Sequence, residues 1–178
     1  MLLHKMYAED IEKLPQDDSA HRSLRDWIAD HIRKEEPQVC VEIGTHRGVT
    51  ALRIANELRN VGSGLLYTFD PHEYGFLENL KKFPELNDFV RYRQIKSVES
   101  DVYDIDFLFV DGRHEYKIVR EEIKHFLPRL TRGAFVLFHD CGGDNELVGV
   151  NQAIDEAGLE TTLLDFAGSK SRLYVHKD

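Results

Sequence analysis

The chain of 178 residues has only two cysteines, no long apolar run and fewer basic than acidic residues. No apolar segment approaches the roughly 20 residues a membrane-crossing helix needs, which excludes an integral membrane protein of that kind. The opening MLLHKMYAEDIEKL has neither a long apolar stretch nor a small-residue cleavage site, so no signal peptide is expected. Lys and Arg number 23 against 32 Asp and Glu, a net charge of −9. That balance argues against broad binding to nucleic acid or anionic lipid, although it leaves room for a local basic groove. Cys40 falls near the start of one expected strand and Cys141 just beyond the end of another. In parallel strands their thiols would lie a strand length apart, roughly 17–20 Å, whereas a disulfide spans about 6 Å. Two free thiols in a reducing, cytoplasmic compartment are expected. Internal repeats, low-complexity tracts and linkers are also lacking, so residues 1–178 read as one domain.

What is present is ordinary globular material, 42% apolar and 31% charged. Residues 1–36 form an N-terminal helical segment in which Leu24, Trp27, Ile28 and Ile32 predict an amphipathic helix over 20–34, ended by Pro37. VCVEIG (39–44) reads as a strand, residues 49–60 as a helix closed by Gly62-Ser63-Gly64, and LLYTFD (65–70) as a second strand. The spacing of Phe76, Leu77, Leu80 and Phe83 predicts a helix over 73–83 with those four facing inward. FVRYRQI (89–95) alternates apolar and polar residues, the pattern of an edge strand. IDFLFV (105–110), an apolar run bounded by acids, and AFVLFH (134–139) read as central parallel strands buried on both faces. Helices at 115–127 and 146–157 follow them, then strands at 159–166 and 171–176. Alternating strand and helix predicts a three-layer α/β/α fold around a seven-stranded, mostly parallel sheet. The four residues between the last two strands cannot house a crossover, so the final strand runs antiparallel.

In such a sheet ligands bind beyond the carboxyl ends of the strands. Those ends carry Glu42-Ile43-Gly44, Asp70-Pro71-His72, Asp111-Gly112-Arg113-His114 and His139-Asp140-Cys141. In Glu42-Ile43-Gly44-Thr45-His46-Arg47-Gly48, Gly44 permits a sharp turn and Gly48 a close backbone approach. The helix that follows presents free N–H groups to an anion. The spacing E-x-G-x-x-x-G differs from the G-x-G-x-x-G of dinucleotide enzymes, which disfavours an NAD-dependent oxidoreductase. Asp70 stands 26 residues past Gly44, where a carboxylate grips ribose hydroxyls. Asp111, His139 and Asp140 end neighbouring central strands, whose tips lie about 5 Å apart. Two carboxylates that close repel each other unless a cation sits between them, either a divalent metal or Arg113. Their mixed oxygen and nitrogen donors suit Mg²⁺, Mn²⁺ or another divalent ion. His139 and His114 are the candidate bases for a hydroxyl proton.

VEIGTHRGVTAL, YTFDP and FLFVDGRHEYKIVREEIKHFLPRLTRGAFVLFHD together resemble the class I S-adenosylmethionine (SAM)-dependent methyltransferases. Within them the chain is similar to the branch containing macrocin O-methyltransferase-like and cephalosporin hydroxylase-like proteins. The resemblance runs from about residue 37 to 140 and implies a Rossmann-like methyltransferase fold with a reversed last strand. It implies that Glu42 holds the methionine amino end, that Gly44, Thr45 and Gly48 line the cofactor, and that Asp70 accepts from both ribose hydroxyls. Ser97 and Val98 would flank adenine. Asp111 would close over the methionine end or, with His139 and Asp140, hold a metal. His139, His114 and Asp111 would then serve transfer of the methyl group to a small hydroxylated or glycosylated molecule. Arg113 departs from the acidic or small residue usual at its position, which bears on the charge the substrate carries. The alternative function is a non-catalytic SAM-binding or partner module. A homo-oligomer is left open by the sequence.

Overall fold

The computed structural model describes residues 2–14, 22–142 and 148–177. Two helices, α1 (Leu2–Glu12) and α2 (Arg22–Glu35), precede the first strand. Then β1 (Val39–Ile43), α3 (Val49–Val61), β2 (Leu65–Phe69), α4 (Phe76–Leu80) and β3 (Val90–Arg93) follow in order. The second half runs through β4 (Ile105–Val110), α5 (Tyr116–Phe126), β5 (Leu130–Phe138), α6 (Val148–Glu156), β6 (Thr161–Phe166) and β7 (Ser169–Val175). The seven strands form one sheet in the order β3-β2-β1-β4-β5-β7-β6. β7 pairs antiparallel with both β5 and β6, and the pairs among β1 to β5 are parallel. The expected edge strand, β3, is indeed at an edge.

Successive side chains of a strand point to opposite faces, and here both faces are covered. Cys40, Leu66, Phe107, Phe109, Phe135 and Leu137 pack under α1, α2 and α3. Val41, Ile43, Leu108, Val110, Val136 and Phe138 pack under α5 and α6. This double burial is why β4 from Phe107 and β5 from Ala134 are unbroken apolar runs, and why β1 is apolar but for Glu42. Among the described residues no helix is long and apolar enough to cross a membrane, and Cys40 and Cys141 are buried free thiols.

Four sequence expectations are corrected. The helix expected over 73–83 shrinks to Phe76–Leu80 because Glu73 accepts the N–H groups of Gly75 and Leu77, each at 3.0 Å, and so starts it late. Pro84 opens a separate 3₁₀ turn instead of continuing the helix. Leu77, expected to face inward, is exposed, whereas Phe76 and Phe83 are buried. The strand expected at 134–139 begins at Leu130, with a register irregularity against β4 between Ile105 and Phe107. The final hairpin turns on Ala167 and Gly168 alone, both at positive φ. That two-residue geometry matches strand twist, so pairing starts at Ser169. Of the helix expected at 146–157, residues 146 and 147 lie outside the described residues.

The helical layer of α1, α2 and α3 contains a buried ionic joint. Arg25 donates from Nε and one terminal nitrogen to both oxygens of Glu12, at 2.9 and 2.6 Å, and both side chains are almost wholly buried. Arg53 approaches the same carboxylate at 3.6 Å and bonds Asp26 at 2.8 Å. Removing one partner of such a pair leaves the other charge buried, a cost of about 3–5 kcal/mol. Arg25→Met is therefore expected to lower the stability measured by urea unfolding by about 3 kcal/mol. Loss of under about 0.5 kcal/mol would mean that α1 does not stay docked in solution.

Candidate active site

The carboxyl ends of β1, β2, β4 and β5 lie on one edge of the sheet, and each carries an acidic side chain in the strand or just beyond it. Glu42 lies within β1, opposite Thr68 of β2 in the parallel register. It is almost completely buried and accepts a short hydrogen bond from the Thr68 hydroxyl, which in turn lies 2.6 Å from the Thr45 hydroxyl. Burial raises the Glu42 pKa to about 8, against the lowering effect of the Thr68 bond and with further upward pressure from Asp111 and Asp70. The carboxyl is held largely in its neutral form at pH 7.

Asp70 joins two loops. Its Oδ2 accepts the N–H of His46 at 2.9 Å and its Oδ1 that of His72 at 3.0 Å. Each carboxylate oxygen has two acceptor positions, so one on each is left for hydroxyls of a ligand. The rings of His46 and His72 stand around Tyr74, at centroid distances of 4.9 and 5.9 Å, and form an aromatic rim outside Asp70.

The two glycines of the first loop serve contacts within the protein. A Cβ on Gly44 would lie 2.2 Å from the Asp111 carbonyl oxygen, and one on Gly48 would lie 2.0 Å from the Phe76 ring. Both have positive φ. Gly44 thus lets the β1 turn close on the end of β4, and Gly48 lets Phe76 cover the start of α3.

Asp111, His139 and Asp140 converge, as the strand-tip argument requires. His139 Nδ1 is 2.8 Å from Asp111 Oδ1 and 3.2 Å from Asp140 Oδ2, and its Nε2 is 2.7 Å from the Ser169 hydroxyl. The His139 side chain is fully buried. Burial opposes its charge, but the two carboxylates outweigh burial and lift its pKa to about 10. Asp140 is likewise opposed by burial, yet its contacts with His114 and His139 hold it well below the usual carboxylate range. His114 Nε2 lies 2.9 Å from Asp140 Oδ2, an ionic contact that raises its pKa. The cation between the carboxylates is therefore His139. Arg113, the alternative, is exposed and sits 3.9 Å from Glu115.

The same three side chains can offer one ligand atom each within 4.8 Å of one another. Cis ligands of a small divalent ion at about 2.1 Å stand about 3 Å apart, close to the 2.8 and 3.2 Å found here. Ser169 would hold the opposite imidazole nitrogen and thereby fix the tautomer, as a partner behind a metal-bound histidine does. The donor set fits a divalent cation provided His139 gives up its Nδ1 proton.

Ser97 is buried in a 3₁₀ turn after β3, Val98 beside it is half buried, and the Ser97 hydroxyl donates to Glu122 of α5 at 2.8 Å. Thr68, Glu122 and Ser169 were missed in the sequence. The first two carry a recognisable signal, a polar residue at a position whose neighbours require burial. Ser169 carries none, since hairpin residues are commonly polar.

The sheet order and reversed last strand define a Rossmann-like methyltransferase fold, and comparison with known proteins agrees. A Bacillus cereus O-methyltransferase in complex with SAH superposes with a TM-score of 0.78 at 16% identity, over 97% of this chain and 91% of that one. The SAH-bound Podospora anserina methyltransferase PaMTH1 gives 0.72 at 18% identity, over 98% and 88%. A SAM-dependent O-methyltransferase from Thermotoga maritima gives 0.72 at 16%, over 97% and 71%. In sequence, an uncharacterized Sinorhizobium fredii protein, y4gI, is 28% identical over 132 residues, 64% of this chain, and the match spans 14% of that relative's length. A family model described as a methyltransferase domain matches residues 41–141, and the chain belongs to that family.

The Glu42 titration has a testable consequence. Unfolded, Glu42 ionises near its ordinary value; folded, it ionises near 8. Between those values the folded chain holds the extra proton, so stability present below the lower value is lost as pH rises through the upper one. Glu42→Gln is expected to flatten this loss and to gain on wild type by at least about 1.4 kcal/mol between pH 5 and 8.5 in urea unfolding, one pKa unit's worth. Parallel pH dependences for the two proteins would show Glu42 to be ionised throughout.

Proposed function

We propose that the chain is a SAM-dependent O-methyltransferase acting on a small hydroxylated or glycosylated molecule in a reducing, cytoplasmic setting. The observation that carries this reading is the convergence of Glu42, Asp70, Asp111 and Asp140 on one edge of a methyltransferase sheet, with Asp70 retaining acceptor capacity on both oxygens. The fit to SAM rests on that donor set: acceptors for a ribose diol at Asp70, and buried carboxyl oxygens at Glu42 for an ammonium. When bound, SAM supplies a methyl group on a sulfonium, already a good leaving group. The chain's task is then mostly alignment of an in-line attack.

Asp70 takes the ribose hydroxyls as charge-assisted donors while its amide bonds keep the two loops fixed. Glu42 holds the methionine amino end; a cation arriving there favours the ionised carboxyl and releases its proton. Thr45 stands behind it through Thr68. The Asp111–His139–Asp140 cluster receives the acceptor hydroxyl. His139, held charged between its carboxylates, acts as a base only after losing a proton, and His114 at the more open side of Asp140 is the second imidazole within reach. A divalent cation held by Asp111, His139 and Asp140 would supply a lowered hydroxyl pKa at that place.

The cofactor assignment is tested by calorimetry. Asp70→Ala is expected to weaken SAM binding by about 1.5–3 kcal/mol for each charge-assisted bond lost, and also to lower the melting temperature because two loop amides lose their acceptor. Unchanged affinity would sink the pocket. For the metal, Mn²⁺ titrated into the protein in buffers of differing ionisation enthalpy is expected to bind with release of about one proton, that of His139. Asp111→Asn should abolish that binding. No binding in wild type would leave proton transfer to the imidazole–carboxylate cluster alone.

A further inference from the structure

A cavity of about 340 Å³ opens at the edge of the sheet opposite the candidate active site. The last turns of α2, the entries to β1 and β4, the first half of β5 and the end of β7 line it. Asp106 lies near the start of β4 and Asp111 just past its end, so about 17 Å of strand separates this cavity from the functional edge. A molecule held here is out of reach of a methyl group transferred there. The volume suits a small molecule, near the lower end of the range of about 300–1,000 Å³ for ligand pockets.

Its lining combines aromatic rings with hydrogen-bond acceptors. The His31 ring is stacked on Trp27 at 4.0 Å and tilted against Phe135 at 5.0 Å. Burial lowers the His31 pKa, and no described residue hydrogen-bonds its ring nitrogens. It is therefore neutral at pH 7, with one acceptor and one donor to offer. Asp106 Oδ2 accepts the N–H groups of Gln38 and Val39, at 2.9 and 3.0 Å, and Oδ1 accepts the Thr131 hydroxyl at 2.8 Å. One acceptor position on Oδ1 is left. Glu35 stands one helical turn beyond His31, exposed and paired at 2.5 Å with its neighbour Lys34. Glu35, Glu36 and Asp106 thus set three carboxylates among the lining residues against the guanidinium of Arg132. We propose that this cavity is a second ligand site and binds a small planar organic cation of the amidine or guanidine type. A delocalised flat cation stacks on aromatic rings and donates several N–H groups in a fork that matches a carboxylate. A compact, strongly hydrated ammonium would leave the rings unused, and an anion would face the three carboxylates. The inference is independent of the cofactor reading, and the ligand is neither cofactor nor methyl acceptor.

The test is NMR titration of the ¹⁵N-labelled full chain with benzamidine, and with benzamide and benzoate as neutral and anionic probes of the same shape. Benzamidine is expected to shift the amides of Gln38, Gly133 and Ala134 saturably while leaving those of His46 and His72, at the opposite edge, in place. It should bind at least about tenfold more tightly than benzamide, since hydrogen bonds between ionised partners are about twice as strong as neutral ones, and benzoate should not bind. Glu35→Lys reverses a charge on an exposed side chain, so the melting temperature should be unchanged while benzamidine binds at least about fivefold more weakly. Absence of saturable shifts at the cavity overturns the proposal without any variant having to fold, as does benzamide or benzoate binding as tightly as benzamidine. A Glu35→Lys protein that keeps its full affinity overturns it too.

Discussion

Four carboxyl groups crowd one edge of a sheet whose interior excludes water, and the rest of the site follows from how their repulsion is relieved. Each is handled differently. Glu42, the most buried, keeps a proton and a hydroxyl bond from Thr68. Asp70, buried at the tip of β2, takes two backbone amides. Asp111 and Asp140 share the imidazolium of His139, with His114 closing the far side of Asp140. The edge thereby carries much less negative charge than four free carboxylates would before any ligand arrives. A cationic ligand entering it exchanges with protons, so binding there is coupled to pH at more than one side chain.

The relief of charge also fixes loop geometry. Asp70 ties the turn after β1 to the turn after β2, and Gly44 lets the first of these press on the end of β4. Gly48 admits Phe76 against the start of α3. The groups suited to hold a ligand are thus the same groups that hold the loops to one another, and substitutions at them act on stability and affinity together. A measured loss of binding at Asp70 has to be read beside a melting curve for that reason.

Most of this architecture was legible in the residues. β1, β4 and β5 are apolar on both faces because both faces are covered, and a strand that ends its apolar run in an acid marks the functional edge. The short final connection forced the antiparallel β7. What escaped notice depends on contacts between segments distant in sequence. The periodicity of Phe76, Leu77, Leu80 and Phe83 is helical, but local capping by Glu73 and the proline at 84 override it. Arg113 sits next to Asp111 in sequence and seemed placed to neutralise it, yet its side chain points out to Glu115. The true neutralising group comes from the neighbouring strand, His139, which the sheet brings within 3 Å of Asp111. Glu122 and Ser97, 25 residues apart, meet only because the turn after β3 crosses to the α5 side of the sheet.

Ser169 shows why strand direction matters to chemistry. β7 runs opposite to β5, so the beginning of β7 lies at the end of β5, with Arg172 paired to Phe138 and the chain entering a little beyond. The two-residue turn at Ala167 and Gly168 therefore sits at the functional edge, and the first residue after it reaches His139 Nε2. A parallel last strand would carry its entry loop to the opposite edge and leave that nitrogen buried without a partner. With Ser169 in place, both ring nitrogens of His139 are engaged and the ring cannot turn. The lone pair or proton at Nδ1 is then always directed between Asp111 and Asp140. A reversed edge hairpin thus orients the one imidazole on which the charge balance of the site depends.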